Sequence, residues 1–132
     1  MPTPKSKPAV DFDGAFASLK PIFAKHRRKL AVKVDTAQEL TLVGKAPSPF
    51  PQHKGQPLAF GAVRMGKAYV SFHLVPLYMN PKLRKSLSPE MKKRMQGMAC
   101  FNFKAPPDRA LLAELKRLAD SSVKDWESKG WI

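Results

Sequence analysis

The chain has 132 residues, of which 43% are hydrophobic, and its 24 Lys and Arg against 10 Asp and Glu give a formal net charge of +14. This length fits one domain, because such a chain buries roughly two-thirds of the surface that its unfolded form exposes. Thirteen prolines exclude an all-helical bundle, and a single cysteine, Cys100, excludes an intramolecular disulfide.

The N-terminal stretch "MPTPKSKPAV" is rich in proline and lysine and has little to bury. We therefore expect residues 1–9 to be a flexible basic lead-in and residues 10–132 to form a single domain. No apolar segment follows the basic residues, and no run of 18 apolar residues occurs in the chain. Neither export nor membrane crossing is indicated, so we expect a cytoplasmic protein with no membrane partner.

Apolar residues spaced by three or four positions predict a first helix with Asp11 as its N-cap. These residues are Phe12, Phe16, Leu19 and Phe23. Pro21 lies within the same stretch. Because proline costs a helix interior about 3 kcal/mol, we expect a kink or a break at that position.

Four strands are predicted next. The stretches "KLAVKVDT" and "ELTLVGK" alternate apolar and polar residues and are rich in β-branched side chains. The apolar stretches "LAFGAVRMG" and "KAYVSFHLVPLYM" follow, and they meet at Gly66 and Lys67 in a predicted hairpin turn. Between the two pairs, "APSPFPQHKGQP" has the composition of a loop.

Two short helices are predicted in "NPKLRKSLSPEMKKRMQG", starting at Asn80 and Ser88. Each of these residues can cap a helix and is followed by proline, which favours the first helical position. Gly97 is the expected end of the second helix.

The stretch "ACFNFK" predicts another strand, with Phe101 and Phe103 on one face. We expect both rings in the core; the alternative is a stacking platform for single-stranded nucleic acid. The last predicted element is a long helix capped by Asp108, with an apolar stripe that ends at Trp126.

The resulting order of elements is α-β-β-β-β-α-β-α. Consecutive strands joined by short turns pair antiparallel, and the remaining helices then cover one face of the sheet. The sequence therefore predicts an α+β two-layer sandwich with a largely antiparallel sheet of about five strands.

The positive charge is concentrated in the middle of the chain, where residues 40–107 contain eleven Lys and Arg and one acid, Glu90. A field of this sign attracts polyanions. Six of these cations fall in the two predicted short helices and form a candidate anion or nucleic-acid patch: Lys82, Arg84, Lys85, Lys92, Lys93 and Arg94. The alternative is an ordinary solvated helix face.

A second candidate site follows from strand alternation in "AYVSFHLVP". His73 is expected on the same face as Tyr69 and Ser71, opposite an apolar set. Hydroxyl and imidazole groups in a pocket can hold a small polar ligand. The candidate ligand-binding residues are Tyr69, Ser71, His73, Tyr78 and Asn80, and the alternative is a half-exposed strand face.

The chain has no phosphate-binding glycine loop, no dinucleotide fingerprint, no nucleophile elbow and no HExxH zinc motif. Cys100 has no local base that would activate it and is expected to be a small buried side chain. Acidic residues are too sparse for a hard-metal site. We therefore identify no catalytic residue, metal ligand or cofactor, although a site assembled from distant residues stays open.

Residues 67–104, "KAYVSFHLVPLYMNPKLRKSLSPEMKKRMQGMACFNFK", resemble a YdhG-like bacterial family whose domain has no assigned function. The stretches "FASLKPIF" and "LAFGAVRMGKAYVS" extend the resemblance over about residues 10–120. The resemblance implies a small cytoplasmic α+β domain. One branch of that family is described as frataxin-like iron chaperones, but no iron-binding residue is carried over to this basic chain.

Three functions remain open at this stage. The first is a non-catalytic binding domain for a small anionic ligand. The second is a nucleic-acid-associated basic protein, and the third is an iron chaperone, implied by the resemblance alone. The two tryptophans near the C-terminus either pack on their own chain or leave an apolar contact for a partner copy. We therefore expect a monomer or a weak homodimer.

Overall fold

A six-stranded antiparallel sheet forms the centre of the computed structural model, which describes residues 10–132. The expected lead-in, residues 1–9, lies outside the described residues. The strands lie in the order β1-β2-β3-β4-β6-β5. Their bounds are β1 Ala31–Asp35, β2 Glu39–Pro47, β3 Pro57–Met65, β4 Val70–Leu74, β5 Met95–Gln96 and β6 Cys100–Phe103.

The first four strands form a meander, in which short turns join β1 to β2 and β3 to β4, and the predicted loop joins β2 to β3. The turn between β3 and β4 is closed by the Gly66 N–H, which donates to the Tyr69 carbonyl at 2.9 Å. In the β1–β2 pair the register shifts between Val32 and Val34, so a bulge falls at Lys33.

Five α-helices complete the described residues, together with a short 3-10 turn at Pro51–His53. Their bounds are α1 Phe12–Ala24, α2 Val75–Met79, α3 Pro81–Lys85, α4 Pro89–Arg94 and α5 Arg109–Ser128. The α+β class and the antiparallel sheet are therefore confirmed. No helix of residues 10–132 combines the length and the apolar character needed to cross a bilayer.

The predicted N-caps are also present. The Asp11 carboxylate accepts from the Gly14 N–H at 2.9 Å, and the Asp108 carboxylate accepts from the Leu111 N–H at 2.9 Å. At the short helices, Asn80 accepts from the Lys82 N–H at 3.0 Å. Each cap satisfies a backbone donor that has no partner within its helix.

Pro21 does not break α1, which runs without interruption through it. The expectation of a break at Pro21 was therefore wrong. A proline removes the hydrogen bond to the carbonyl four residues earlier, and here that carbonyl belongs to Ala17, an exposed residue. Water can therefore replace the missing donor, and the buried face of α1 still packs against the sheet.

Two element boundaries differ from those predicted. The strand expected over "KAYVSFHLVPLYM" ends at Leu74, because Pro76 at the start of α2 favours a helix and cannot donate to a ladder. The helix expected to end at Gly97 ends at Arg94, and Met95 and Gln96 form β5 instead. Gly97, at φ +72°, lies in the turn that leads to β6. The sheet consequently has six strands.

One face of the sheet packs against α1 and α5 and holds the core. The Phe23 ring of α1 stacks on Phe72 with centroids 4.6 Å apart, and Trp126 of α5 contacts Phe60 edge-on at 5.3 Å. Phe101 and Phe103 are fully buried on this same face. The alternative of a stacking platform on β6 was therefore wrong.

The C-terminal tail packs on its own chain. Trp131 lies edge-on to Trp126 with ring centroids 5.6 Å apart, and its backbone N–H donates to the Trp126 carbonyl at 2.9 Å. Trp126 itself is completely buried. The indoles therefore belong to the core of this chain.

Candidate anion-binding cleft

The second face of the sheet is polar, and strand alternation places the predicted residues there. Val70, Phe72 and Leu74 of β4 are fully buried in the core. Ser71 and His73 alternate with them and lie on the opposite face, where Ser71 is half-buried and His73 is exposed. The predicted division of β4 into an apolar and a polar face is therefore present.

Strand register brings further polar residues beside these two. Ser71 lies opposite Arg64 of β3 on one side and Asn102 of β6 on the other. His73 lies opposite Cys100 of β6. Neighbours directly across an antiparallel pair have Cβ atoms about 4.5–5.5 Å apart. The polar face thus joins β3, β4 and β6 in a continuous band.

The environment of this band favours the neutral forms of two titratable groups, His73 and Cys100. Partial removal of the imidazole from water, followed by repulsion from Arg64, lowers the pKa of His73. Partial burial raises the pKa of the Cys100 thiol. The Cys100 Sγ lies 3.7 Å from Asn102 Oδ1, a weak hydrogen bond at most. Nothing in this environment stabilises a thiolate.

An open cleft of about 520 Å³ lies beside this band, at the end of the sheet where β5 is short. β5 pairs only with Cys100 and Phe101 of β6, so among the described residues the rest of β6 has no strand on its outer side. The polar residues that line the cleft are Tyr69, Lys93, Arg94, Gln96, Asn102 and Lys104. We call this site the β6 cleft.

Hydrogen bonds fix the polar floor of the β6 cleft. The Gln96 side-chain carbonyl accepts from Asn102 Nδ2 at 2.6 Å and from the Tyr69 hydroxyl at 3.4 Å. One side chain from β5, one from β6 and one from the residue before β4 are therefore held together. The Gln96 amide group is oriented by these contacts, because its oxygen must face both donors.

Cations form the rest of the lining. Lys93 pairs with Glu90 at 3.4 Å, but both side chains are about 70% exposed, so this pair is weak. Arg94 and Lys104 have no carboxylate within 4 Å among residues 10–132. The Arg94 guanidinium lies 5.2 Å from the Phe103 ring centroid, a cation–π contact that holds it beside the cleft.

The six cations predicted as a patch are divided by the structure. Lys93 and Arg94 of α4 line the β6 cleft, whereas Lys92 is exposed outside its lining. On α3, Arg84 donates to the carbonyls of Leu77 and Tyr78 at 2.8 and 2.9 Å, so its side chain hydrogen-bonds the last turn of α2. Lys82 and Lys85, also on α3, are exposed and do not line the β6 cleft.

The predicted ligand-binding residues are divided in the same way. Tyr69 lines the β6 cleft, and Ser71 and His73 lie on the adjoining polar face. Tyr78 is 61% exposed on α2, and the Asn80 side chain is occupied as the α3 cap. Neither of these two residues lines the cleft.

Three polar residues of the cleft were not among the predicted site residues: Gln96, Asn102 and Lys104. The sequence pattern places Gln96 at the end of the second short helix, because a strand of two residues gives almost no periodic signal. Lys104 lies two positions after Asn102, so strand alternation extended beyond "ACFNF" puts both residues on the same face. This spacing is the signal that could have identified Lys104.

Metal-binding side chains do not cluster in the structure. Within residues 10–132 no three His, Cys, Asp or Glu side chains lie close enough together to hold a metal ion. Comparison of the chain with models of protein families, with curated proteins and with solved structures found no match.

Proposed function

We propose that this chain is a non-catalytic domain that binds a small anionic ligand in the β6 cleft. The observation that carries the proposal is the lining itself, with three cations around a hydrogen-bonded polar floor. Two of the cations, Arg94 and Lys104, have no acidic partner among the described residues. An anion would supply the missing countercharge.

The energetic argument rests on Coulomb attraction at a protein surface, because Lys93, Arg94 and Lys104 are all exposed. Two opposite unit charges 4 Å apart attract by about 4 kcal/mol at an effective dielectric constant of 20, against about 1 kcal/mol in bulk water. A ligand anion in contact with two exposed cations keeps part of its own hydration, and water and salt screen the attraction. The expected affinity is therefore modest.

The adjoining band supports binding without catalysis. A nucleophilic cysteine acts as the thiolate, whereas burial favours the neutral thiol of Cys100. His73, opposite it across the β4–β6 pair, is favoured in its neutral form. The pair consequently has the weakly polar character of a ligand-contacting surface.

The experiment is a thermal-unfolding series with millimolar phosphate, sulfate or citrate at constant ionic strength. A ligand that binds the folded chain stabilises it by about 2.7 kcal/mol when present at 100 times its Kd. The stabilisation should fall in an Arg94→Gln, Lys104→Gln double variant and persist in Lys33→Gln, whose cation lies on β1 at the other end of the sheet. Equal stabilisation of all three chains would contradict a site in the β6 cleft.

Nucleic acid is the second candidate. It is favoured by one observation, that Lys92, Lys93 and Arg94 are all exposed in the last turn of α4 beside the β6 cleft. Phosphate contacts of this kind give a binding constant that falls steeply with salt. A single-stranded chain would then run along the outer side of β6.

The YdhG-like resemblance supports a small cytoplasmic domain and is compatible with either binding role. A frataxin-like iron role is the least supported, because hard metal ions prefer several carboxylate or carbonyl oxygens. The residues that line the β6 cleft are cationic or neutral. Iron(II) titration followed by calorimetry tests this role, and we expect no saturable heat at micromolar metal.

A further inference from the structure

Most free hydrogen-bonding groups of the β6 cleft are donors, and the Tyr69 hydroxyl oxygen is a free acceptor among them. The Gln96 oxygen is occupied by Asn102 Nδ2 and by the Tyr69 hydroxyl, so the Gln96 Nε2 group is left to donate. Lys93, Arg94 and Lys104 have no accepting atoms in their side-chain head groups. The Asn102 oxygen lies 3.7 Å from the Cys100 thiol and can still accept a hydrogen bond.

This donor set favours ligands that present oxygen acceptors. A nucleobase edge or a sugar ring presents donors together with acceptors, and its donors would find few partners here. A ligand group with oxygens only, and with negative charge on them, matches the Gln96 Nε2 group and the three cations. Charge-assisted hydrogen bonds of this kind are the strong ones.

The donors also reach the cleft from separate elements. Lys93 and Arg94 come from the end of α4, Gln96 comes from β5, and Lys104 follows β6. A planar carboxylate offers two oxygens in one plane, whereas a phosphate monoester offers three terminal oxygens that point in different directions. The cleft volume of about 520 Å³ leaves room beyond the phosphate group, and it lies in the usual range for organic ligands.

We propose that the anion bound in the β6 cleft is the dianionic phosphate group of a small organic phosphomonoester, which Lys93, Arg94, Gln96 and Lys104 contact from three elements. This inference rests on the proposed function, which requires only that some small anion binds there. The further inference specifies that the bound group is tetrahedral and carries two negative charges.

The test compares matched aromatic anions by isothermal titration calorimetry on the full chain. Phenyl phosphate is a tetrahedral dianion at about pH 7.5, since the second pKa of a phosphate monoester is about 6. Phthalate carries the same charge on planar carboxylates, and benzenesulfonate is tetrahedral with a single charge. We expect phenyl phosphate to bind at least about tenfold more tightly than either, which is the difference made by one charge-assisted hydrogen bond.

Lowering the pH supplies a second readout. Phenyl phosphate should lose affinity as the pH falls through about 6, because its second ionisation is reversed there. Phthalate loses its second charge only at a lower pH, where its carboxyl groups begin to protonate. Benzenesulfonate keeps its charge over this range and should show no comparable change.

Two variants assign the effect to the cleft. Gln96→Leu keeps the size of the side chain and removes the donor, so phenyl phosphate should bind about tenfold more weakly. Gln96→Glu replaces the donor by a carboxylate and should abolish binding. Lys33→Gln, at the far edge of the sheet, should bind like the unchanged chain. Circular dichroism and the unfolding midpoint show whether each variant is folded.

The outcomes separate the two proposals. Binding of phthalate as tight as that of phenyl phosphate, with both weakened by Arg94→Gln, would overturn the phosphomonoester and leave an anion site in place. The same holds if Gln96→Leu is folded and binds phenyl phosphate unchanged. No binding of any of the three anions at millimolar concentration would overturn both the phosphomonoester and the anion-binding function.

Discussion

The buried carboxylate of Glu114 accepts two hydrogen bonds from Ser88, one from its backbone N–H at 2.8 Å and one from its hydroxyl at 2.6 Å. Glu114 lies on α5 and is only 6% exposed, and Ser88 is the N-cap of α4. This contact joins the start of α4 to the longest helix of the fold. It thereby sets the position of the cations at the other end of α4.

Replacing Glu114 by alanine should destabilise the chain by about 1.5–3 kcal/mol, the usual contribution of hydrogen bonds to a charged group. Urea unfolding followed by tryptophan fluorescence measures the change. Glu90→Gln is the matched control, because Glu90 is an exposed acid on α4 whose loss should cost less than about 0.5 kcal/mol. Equal effects of the two changes would show that the Ser88 contact adds no stability.

Gly61→Ala should also destabilise the chain. A Cβ at Gly61 would lie 2.6 Å from the His73 carbonyl oxygen and 2.7 Å from the Phe23 ring, closer than such atoms can pack. Overpacking of this kind costs about 1–3 kcal/mol. The midpoint of thermal unfolding should fall, whereas Ala59→Ser at an exposed position of the same strand should leave it nearly unchanged. An unchanged midpoint for Gly61→Ala would mean that β3 moves away from α1 without cost.

Stability should decrease as the pH falls below about 6.5, the ordinary pKa of histidine. Burial is the main cause that lowers the pKa of His26, and burial followed by repulsion from Arg64 lowers the pKa of His73. A lowered folded pKa means that the unfolded chain binds the proton more readily, so stability is complete above the unfolded pKa and is lost on acidification through the folded pKa. Urea unfolding between about pH 7.5 and 5 measures this slope.

His73→Gln should flatten that slope in part, since His26 remains. Because His73 is exposed, this variant should leave the core intact and is suited to the comparison. A slope identical in both chains would show that His73 titrates alike in the folded and unfolded states.

Changing Lys92, Lys93 and Arg94 together to Gln tests the nucleic-acid alternative. If these cations contact phosphates, fluorescence anisotropy with short labelled single-stranded and double-stranded DNA and RNA should show a binding constant that falls steeply with salt. The triple change should then reduce the salt slope by about one unit per lost contact. Absence of binding at about 50 mM salt, where phosphate contacts are strong, would remove this alternative.

The elements with strong local signals were predictable from the sequence. Asp11 and Asp108 act as caps because an acidic residue before an apolar stripe satisfies the first free N–H groups of a helix. The two faces of β4 followed from simple alternation around His73. These features depend on neighbours in the chain, so the chain alone indicates them.

The features that were missed depend on tertiary contacts. Pro21 is tolerated because Ala17 is exposed to solvent. The spacing of apolar residues does not show whether an individual carbonyl group is accessible to water. Gln96 forms a strand because Cys100 lies across a tight turn, and this pairing overrides the helix signal that precedes it. The β6 cleft combines residues separated by up to 35 positions, Tyr69 and Lys104 at the extremes. Its composition could not be derived from spacing.

The bulge at Lys33 and the brevity of β5 have a consequence for how copies of the chain behave at high concentration. Both strands are at the outer limits of the sheet, where unpaired backbone groups would otherwise recruit a strand from another molecule. A charged bulge on one side and a two-residue strand on the other leave no long flat ladder to extend. The fold is thereby protected against edge-to-edge aggregation, and Lys33→Val is the single change that would weaken this protection first.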